Sequence, residues 1–282
     1  MASPMSPQIR TATAEECARL WPAVSAEHLF ATLAAFRAYR DAAPWQLRVT
    51  DRGEAALLGR WKRHLDVLAM RGVWAAERDV AAFARDARAQ AVEHGFGRVL
   101  SPLVPEEFLG GYRSAGMRVT QSIIAIQGHP ELMLPADPPL GVVIREGTAA
   151  DIPAVARLDA ASFEQFWRWG EEDLLRFLDV ERLAVAQAYG GAIIGYTLAT
   201  VSRGSATLSR LATAPHVRRA GVGRALLAES GAWAVRHGAV TFSLCTQAEN
   251  SASRAMYAEA GLTEVAERYA FAMADANQGG RK

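Results

Sequence analysis

The stretch Leu208-Ser209-Arg210-Leu211-Ala212-Thr213, followed after Pro215 by Val217-Arg218-Arg219-Ala220-Gly221-Val222-Gly223-Arg224, decides the fold. Alternating apolar residues up to Thr213 predict a strand that ends before Pro215, which cannot donate to a ladder. The arginine–glycine loop then runs into Val222, Leu226, Trp233 and Ala234, spaced for one face of a helix that stops at Gly238. Strand, glycine-bearing loop and helix start, in that order, leave backbone N–H groups pointing outward at a helix N-terminus. Glycines allow close approach there and the dipole favours negative charge, so the chemistry suits a phosphate. The spacing Arg-x-x-Gly-x-Gly is weak alone, and a tight loop with solvated arginines is the plain alternative.

Working outward, Phe242-Ser243-Leu244-Cys245 predicts another strand, and Asn250-x-x-Ser253-x-x-x-Tyr257-x-x-x-Gly261-Leu262 an N-capped helix closed by a glycine. Ala252, Ala255, Met256 and Ala260 give that helix a buried side, with Tyr257 about 100° further round, at its edge. This ordered set resembles the GNAT superfamily of acetyl-coenzyme A dependent N-acetyltransferases, over about Val143 to Met273. The resemblance implies an α/β fold with a mixed sheet, acetyl-coenzyme A as co-substrate and no metal. It also implies that the backbone of Leu211, Ala212 and Thr213 holds the pantetheine arm. The loop Arg218, Arg219, Ala220, Gly221, Val222, Gly223 and Arg224 would cradle the pyrophosphate, Asn250 and Ser253 would border the cofactor, and Tyr257 would face its sulfur as the acid.

The implied reaction is attack of a neutral primary amine, on a small molecule or a peptide N-terminus, and it needs a base. Where relatives place a glutamate, this chain has Thr207, Ser209 and Cys245. Cys245 on its strand reads as a small buried hydrophobe. His216 and His237 have ordinary structural readings, and Glu249 is a further carboxylate. Glu164, or a water relay, is the expected base. Near Glu164 lies the aromatic run Phe163 to Trp169, whose Phe166, Trp167 and Trp169 are expected either to wall the acceptor pocket or to form a core seam.

The chain also repeats itself. Ile9-Arg10 with Thr13-Ala14-x-Glu16 returns as Ile144-Arg145 with Thr148-Ala149-x-Asp151, an offset of 135 residues. The pair Leu47-x-Val49 and Ala56-Leu57-Leu58-Gly59 returns as Leu183-x-Val185 and Ala192-Ile193-Ile194-Gly195 at 136, and Tyr112 with Gly116 returns as Tyr257 with Gly261 at 145. We therefore expect two tandem GNAT-like domains, 1–134 and 142–276, joined by the Pro-rich linker 135–141 and followed by a tail at 277–282. Carrying an offset of 143 through the loop puts Ala75, Arg78 and Val80 where Arg218, Gly221 and Gly223 stand, so the first copy is expected to be degenerate and to bind no cofactor.

Composition narrows the partners. Thirty-one Lys+Arg against 30 Asp+Glu give a net charge of +1, too even for a polyanion-binding protein. Cys17 and Cys245 are the two cysteines, far apart, which suggests neither disulfides nor a thiolate metal site and fits a reducing cytoplasm. The first residues lack the apolar core of a signal peptide, and no apolar run reaches membrane-spanning length. A monomer or homodimer with no nucleic acid and no membrane is expected. A mycothiol-synthase-like enzyme, also built of tandem halves, and a non-catalytic acyl-coenzyme A sensor are the alternatives.

Overall fold

The computed structural model describes residues 7–277 apart from His28 and Arg63; of the expected tail, all beyond Asn277 lies outside the described residues. Chain order is β1 (Arg10–Thr11), α1 (Glu16–Ala26), α2 (Leu33–Ala42), β2 (Leu47–Val49), β3 (Ala55–Trp61), β4 (His64–Trp74), α3 (Glu77–Glu93), β5 (Arg98–Leu100), β6 (Val104–Pro105), α4 (Gly110–Ser114) and β7 (Arg118–Gly128). It continues with β8 (Val142–Glu146), α5 (Ile152–Ser162), α6 (Glu171–Phe177), β9 (Arg182–Ala188), β10 (Ile193–Ser202), β11 (Ser205–Thr213), α7 (Val222–Arg236), β12 (Thr241–Gln247), α8 (Ser251–Glu259) and β13 (Thr263–Asp275). The two runs have the same order, and in each a crossover helix joins a parallel pair, β4–α3–β5 and β11–α7–β12.

Two compact units result: Met1–Ser122 with Tyr269–Lys282, and Ile123–Arg268. They do not coincide with a cut at the prolines, because two long strands change unit along their length. Residues 123–128 of β7 pair with β12 in the second unit, whereas residues 273–275 of β13 pair with β5 in the first. Hydrophobic alternation marks a strand but not its partner, so this exchange is invisible in the sequence. The linker's start is also part of the second unit: the Leu134 amide donates to Ala260 O at 3.1 Å, and Met133 fills the space over Gly231.

The strongest echo in the sequence has a physical cause. Arg10 grips Glu16 through two hydrogen bonds of 2.9 and 3.0 Å while the Thr13 amide donates to the same carboxylate; Arg145, Asp151 and Thr148 repeat this at 2.9, 2.7 and 2.9 Å. The arginine and then the backbone amide hold the Glu16 and Asp151 carboxyls down to about 2, against the opposing effect of burial. Folded-state values below the ordinary carboxylate range stabilise above about pH 4, and that contribution is lost as pH falls toward 2. Thermal melts are therefore expected to hold steady from about pH 7 to 5 and to drop below it. Glu16→Gln with Asp151→Asn should flatten the drop; an unchanged profile in that variant would assign acid sensitivity elsewhere.

In the second unit, helices cover both faces of the sheet. α5 and α6 pack Ile152, Val155, Leu158 and Leu174 on Leu183, Val185, Leu198 and Ala212. On the opposite face, α7 and α8 bring Leu227 and Tyr257 against Leu208, Phe242 and Leu244. β11 serves both faces because its register on β10 slips between Leu208 and Arg210, leaving Ser209 in a bulge. Ala206 and Leu208 face α7, and beyond the bulge Ala212 joins the α5 side.

Candidate functional site

The bulge sits where the sheet forks. β11 and β12 pair from Ser205/Thr241 to Leu208/Leu244 and then part: β11 stays on β10 as far as Thr213, and β12 stays on β7 as far as Gln247. The backbone of 209–213 thus has a strand on one side only, a ready edge for an extended ligand. Leu211 and Thr213 lie along this edge; the Thr213 carbonyl already accepts from Ser162 Oγ at 3.1 Å.

At the mouth of the fork stands the start of α7. Gly221 is its N-cap, in the left-handed region at φ +88° and with no side-chain cap, and the first helical bond runs from the Ala225 amide to Gly221 O at 3.0 Å. The amides of 221–224 consequently have no acceptor within the helix. Arg219 also takes a left-handed φ of +63°, uncommon for a non-glycine residue and a mark of a constrained loop. Arg218, Arg219 and Arg224 are exposed around this start. Arg218 reaches Ser162 O at 3.1 Å, and Arg224 lies 3.7 Å from Glu259.

The two loop glycines do different jobs. A side chain on Gly221 would touch only Pro139, so glycine is needed there for its backbone conformation. A Cβ on Gly223 would stand 3.2 Å from Met256 Sδ and 3.6 Å from Thr213 Cγ2, so this glycine lets α7 approach α8 and β11.

α8 forms as its spacing predicts. Asn250 Oδ1 accepts from the Ser253 amide at 3.2 Å, Gly261 takes φ +89°, and the Leu262 amide returns to Tyr257 O at 3.0 Å. Tyr257 is 6% exposed, in the apolar cluster beneath the fork, and burial pushes its phenol up to about 12 while the Ser253 hydroxyl pulls the other way. Against a thiol at ~8.5, complete proton transfer then costs about 5 kcal/mol. Tyr257 therefore keeps its proton and acts as a hydrogen-bond donor.

The aromatic run is held by a buried ion pair that its sequence did not reveal. Asp159 on α5 is 0% exposed and accepts from Arg210 at 2.9 and 2.6 Å, from Tyr196 OH at 2.6 Å and from the Trp169 amide at 2.8 Å. Arg210 also donates to Trp167 O at 2.7 Å, with its guanidinium 3.5 Å from the Phe163 ring and 4.3 Å from that of Trp169. Trp169, 4.5 Å from Phe177, therefore belongs to the core seam. Phe166 and Trp167 pack edge to face at 4.9 Å and are half-buried. Glu164 is exposed before them, and among the described residues its side chain makes no hydrogen bond.

The corresponding place in the first unit is closed. Ala75 and Ala76 alone separate β4 from α3, against residues 214–221 in the second. Glu77 and Asp79 occupy the first turn of α3, and Glu54 accepts from the Ala76 amide at 3.3 Å, so carboxylates already fill the positive end of this helix. The helix contact survives with its sizes reversed. Val80 on α3 fills the space over Gly111 on α4, where Gly223 on α7 faces Met256.

Residues 152–262 match the model of the acetyltransferase (GNAT) family. No curated protein matches the sequence. Among solved structures, the chain is similar to a GCN5-related N-acetyltransferase from Sphaerobacter thermophilus, at 18% identity over 99% of this chain and 98% of that one, with a TM-score of 0.66. It is also similar to a tandem GNAT protein of the clavulanic acid biosynthesis pathway, at 15% identity over 96% and 99%, TM-score 0.68. A probable N-acyltransferase from Enterococcus faecalis V583 aligns at 12% identity over 96% and 73%, TM-score 0.62. At these identities the likeness is one of fold. Among the described residues no cluster of metal-binding side chains occurs, and no helix is long and apolar enough to cross a membrane.

Proposed function

Because the chain carries a GNAT-family acyltransferase domain at residues 152–262 within a tandem GNAT fold, we propose that it transfers the acetyl group of acetyl-coenzyme A to a primary amine by direct attack in a ternary complex. The acceptor is a small molecule or a peptide N-terminus. One observation carries this reading: a strand edge opened by the fork at Ser209 leads straight to an uncapped helix start at Gly221. A pantetheine arm fits the edge as an added strand, with its pyrophosphate on the amides of 221–224. Asn250 is committed to capping α8 through the Ser253 amide, so its service to the cofactor is to place Tyr257, and Ser253 borders the cofactor beside it.

Calorimetric titration with coenzyme A, and thiol release from acetyl-coenzyme A across a panel of primary amines, test the proposal. One site per chain and amine-dependent release are expected. Two equivalent sites would show that the α3 start also binds, and absence of binding would remove the cofactor assignment. For an amine that is turned over, Tyr257→Phe should lower kcat on the order of 10²-fold with little change in acetyl-coenzyme A affinity, as for a contact made mainly in the transition state. Equal turnover would reduce Tyr257 to packing.

A further inference from the structure

We propose that Glu181 is the catalytic base of this site, brought to the fork from the strand beyond β10 in place of a carboxylate on β11, and that Ser209 positions it. The inference rests on the acetyl-transfer reading above. Glu181 directly precedes β9, where Leu183 and Val185 face α5 and Arg182 turns to Glu229 of α7 at 2.7 Å, so strand alternation puts Glu181 on the α5 face. Its backbone is fixed: the Glu181 amide donates to Phe177 O at 2.7 Å, and Thr200 Oγ1 donates to Val180 O at 3.2 Å.

The carboxylate has an unusual position for a surface glutamate. Among the described residues Oε2 is buried without a hydrogen-bond partner, an uncommon state for a carboxylate oxygen in a folded protein. Strand register sets Glu181 close to the level of Ser209, the bulge residue where β11 leaves β12: Ala199 of β10 pairs with Arg182 on one side and with Leu208 on the other. Around that point Thr207, Ser209 and Cys245 are exposed and Ser243 is half-exposed, so the α5 and α6 cover of the sheet does not extend over the fork. Burial raises the Glu181 carboxyl above its ordinary value, and the Ser209 hydroxyl opposes that rise. Of the charged groups on the surrounding elements, Arg210 is committed to Asp159 and Arg182 to Glu229. Cys245 faces the site from β12, and Asp179 lies two residues before Glu181.

The other candidates lack this combination. Glu164 and Glu249 are exposed, His216 lies on an exposed turn, and His237 is at the far end of α7 with Nδ1 2.9 Å from Trp233 O. In the step proposed, the acceptor enters as an ammonium and gives one proton to Glu181. The neutral nitrogen then forms a bond to the acetyl carbon as the carbon–sulfur bond breaks. The departing thiolate takes the second nitrogen proton, beside the Tyr257 hydroxyl, and Glu181 passes its proton to water. The balance is one amide, one thiol and one released proton.

The test uses the full chain, acetyl-coenzyme A, and putrescine, tyramine, glucosamine and an alanine-initiated tripeptide as probes. For the amine used fastest, Glu181→Gln should lower kcat on the order of 10²-fold at pH 7 with coenzyme A affinity kept within about threefold. The limb of kcat/KM that rises with pH as Glu181 loses its proton should vanish, leaving a rate that follows the neutral amine alone. Ser209→Ala should move that limb to higher pH, because the hydroxyl that favours the carboxylate is gone; a merely structural serine would not shift it. A Glu181→Gln enzyme within threefold of the parent, or with the limb in place, overturns this proposal alone. A parent chain inert toward every probe overturns the acetyl-transfer reading and this proposal with it.

Discussion

Replacing Asp159 by alanine is expected to destabilise the second unit by about 3–5 kcal/mol, the usual result of breaking a buried pair from one side. Arg210, its side chain 8% exposed, would keep its charge in an apolar seam, and the Tyr196 hydroxyl and Trp169 amide would lose their acceptor. The loss would be read from calorimetric melts and from faster hydrogen exchange in β10 and β11. Asp159→Leu with Arg210→Met should recover only part of the stability, because it removes the stranded charge but leaves the Tyr196 hydroxyl and the Trp169 amide without an acceptor. Without Arg210 at Trp167 O, the run 163–169 should stay loose and acceptor KM should rise. A shift below about 1 kcal/mol in the single variant would show that water reaches the pair and that it does not pin this segment.

Gly223→Val is expected to weaken coenzyme A binding about 100-fold, equivalent to about 3 kcal/mol of blocked contact, and also to lower stability by overpacking against Met256. The first unit supplies the control, because there a valine on the helix meets a glycine on the partner helix. Adding Met256→Gly to Gly223→Val copies the Val80–Gly111 arrangement and should restore stability. Affinity should stay low, since the valine still stands at the helix start where phosphate must approach the backbone. Recovery of both would make Gly223 a packing residue and take the pyrophosphate off this amide.

Much of the site was legible because its determinants are local. Gly221 adopts a left-handed φ whose need shows in sequence as a glycine between a strand and a helix, and Asn250 and Gly261 cap and close α8 by hydrogen bonds that span only a few residues. The repeat was equally legible, because Arg10 with Glu16 and Arg145 with Asp151 recur at fixed short spacing for one physical purpose. The proposed base, Glu181, carries no such local signal. Its place two residues before an inward Leu183 says which face it takes but not what opens opposite that face.

By itself, then, the sequence determined the mixed α/β order, the tandem repeat, the loss of the loop glycines in the first copy and the helix start at Gly221, all of which rest on periodicity, turn chemistry and capping within short spans. The tertiary structure alone decided the rest. It set which strands β7 and β13 join, the fork at Ser209, the packing of Gly223 on Met256, and the burial of Asp159 with Arg210 across 51 residues of chain. These depend on side chains meeting from distant segments, and a buried charge or an empty Cβ position has no meaning until its neighbour is in place.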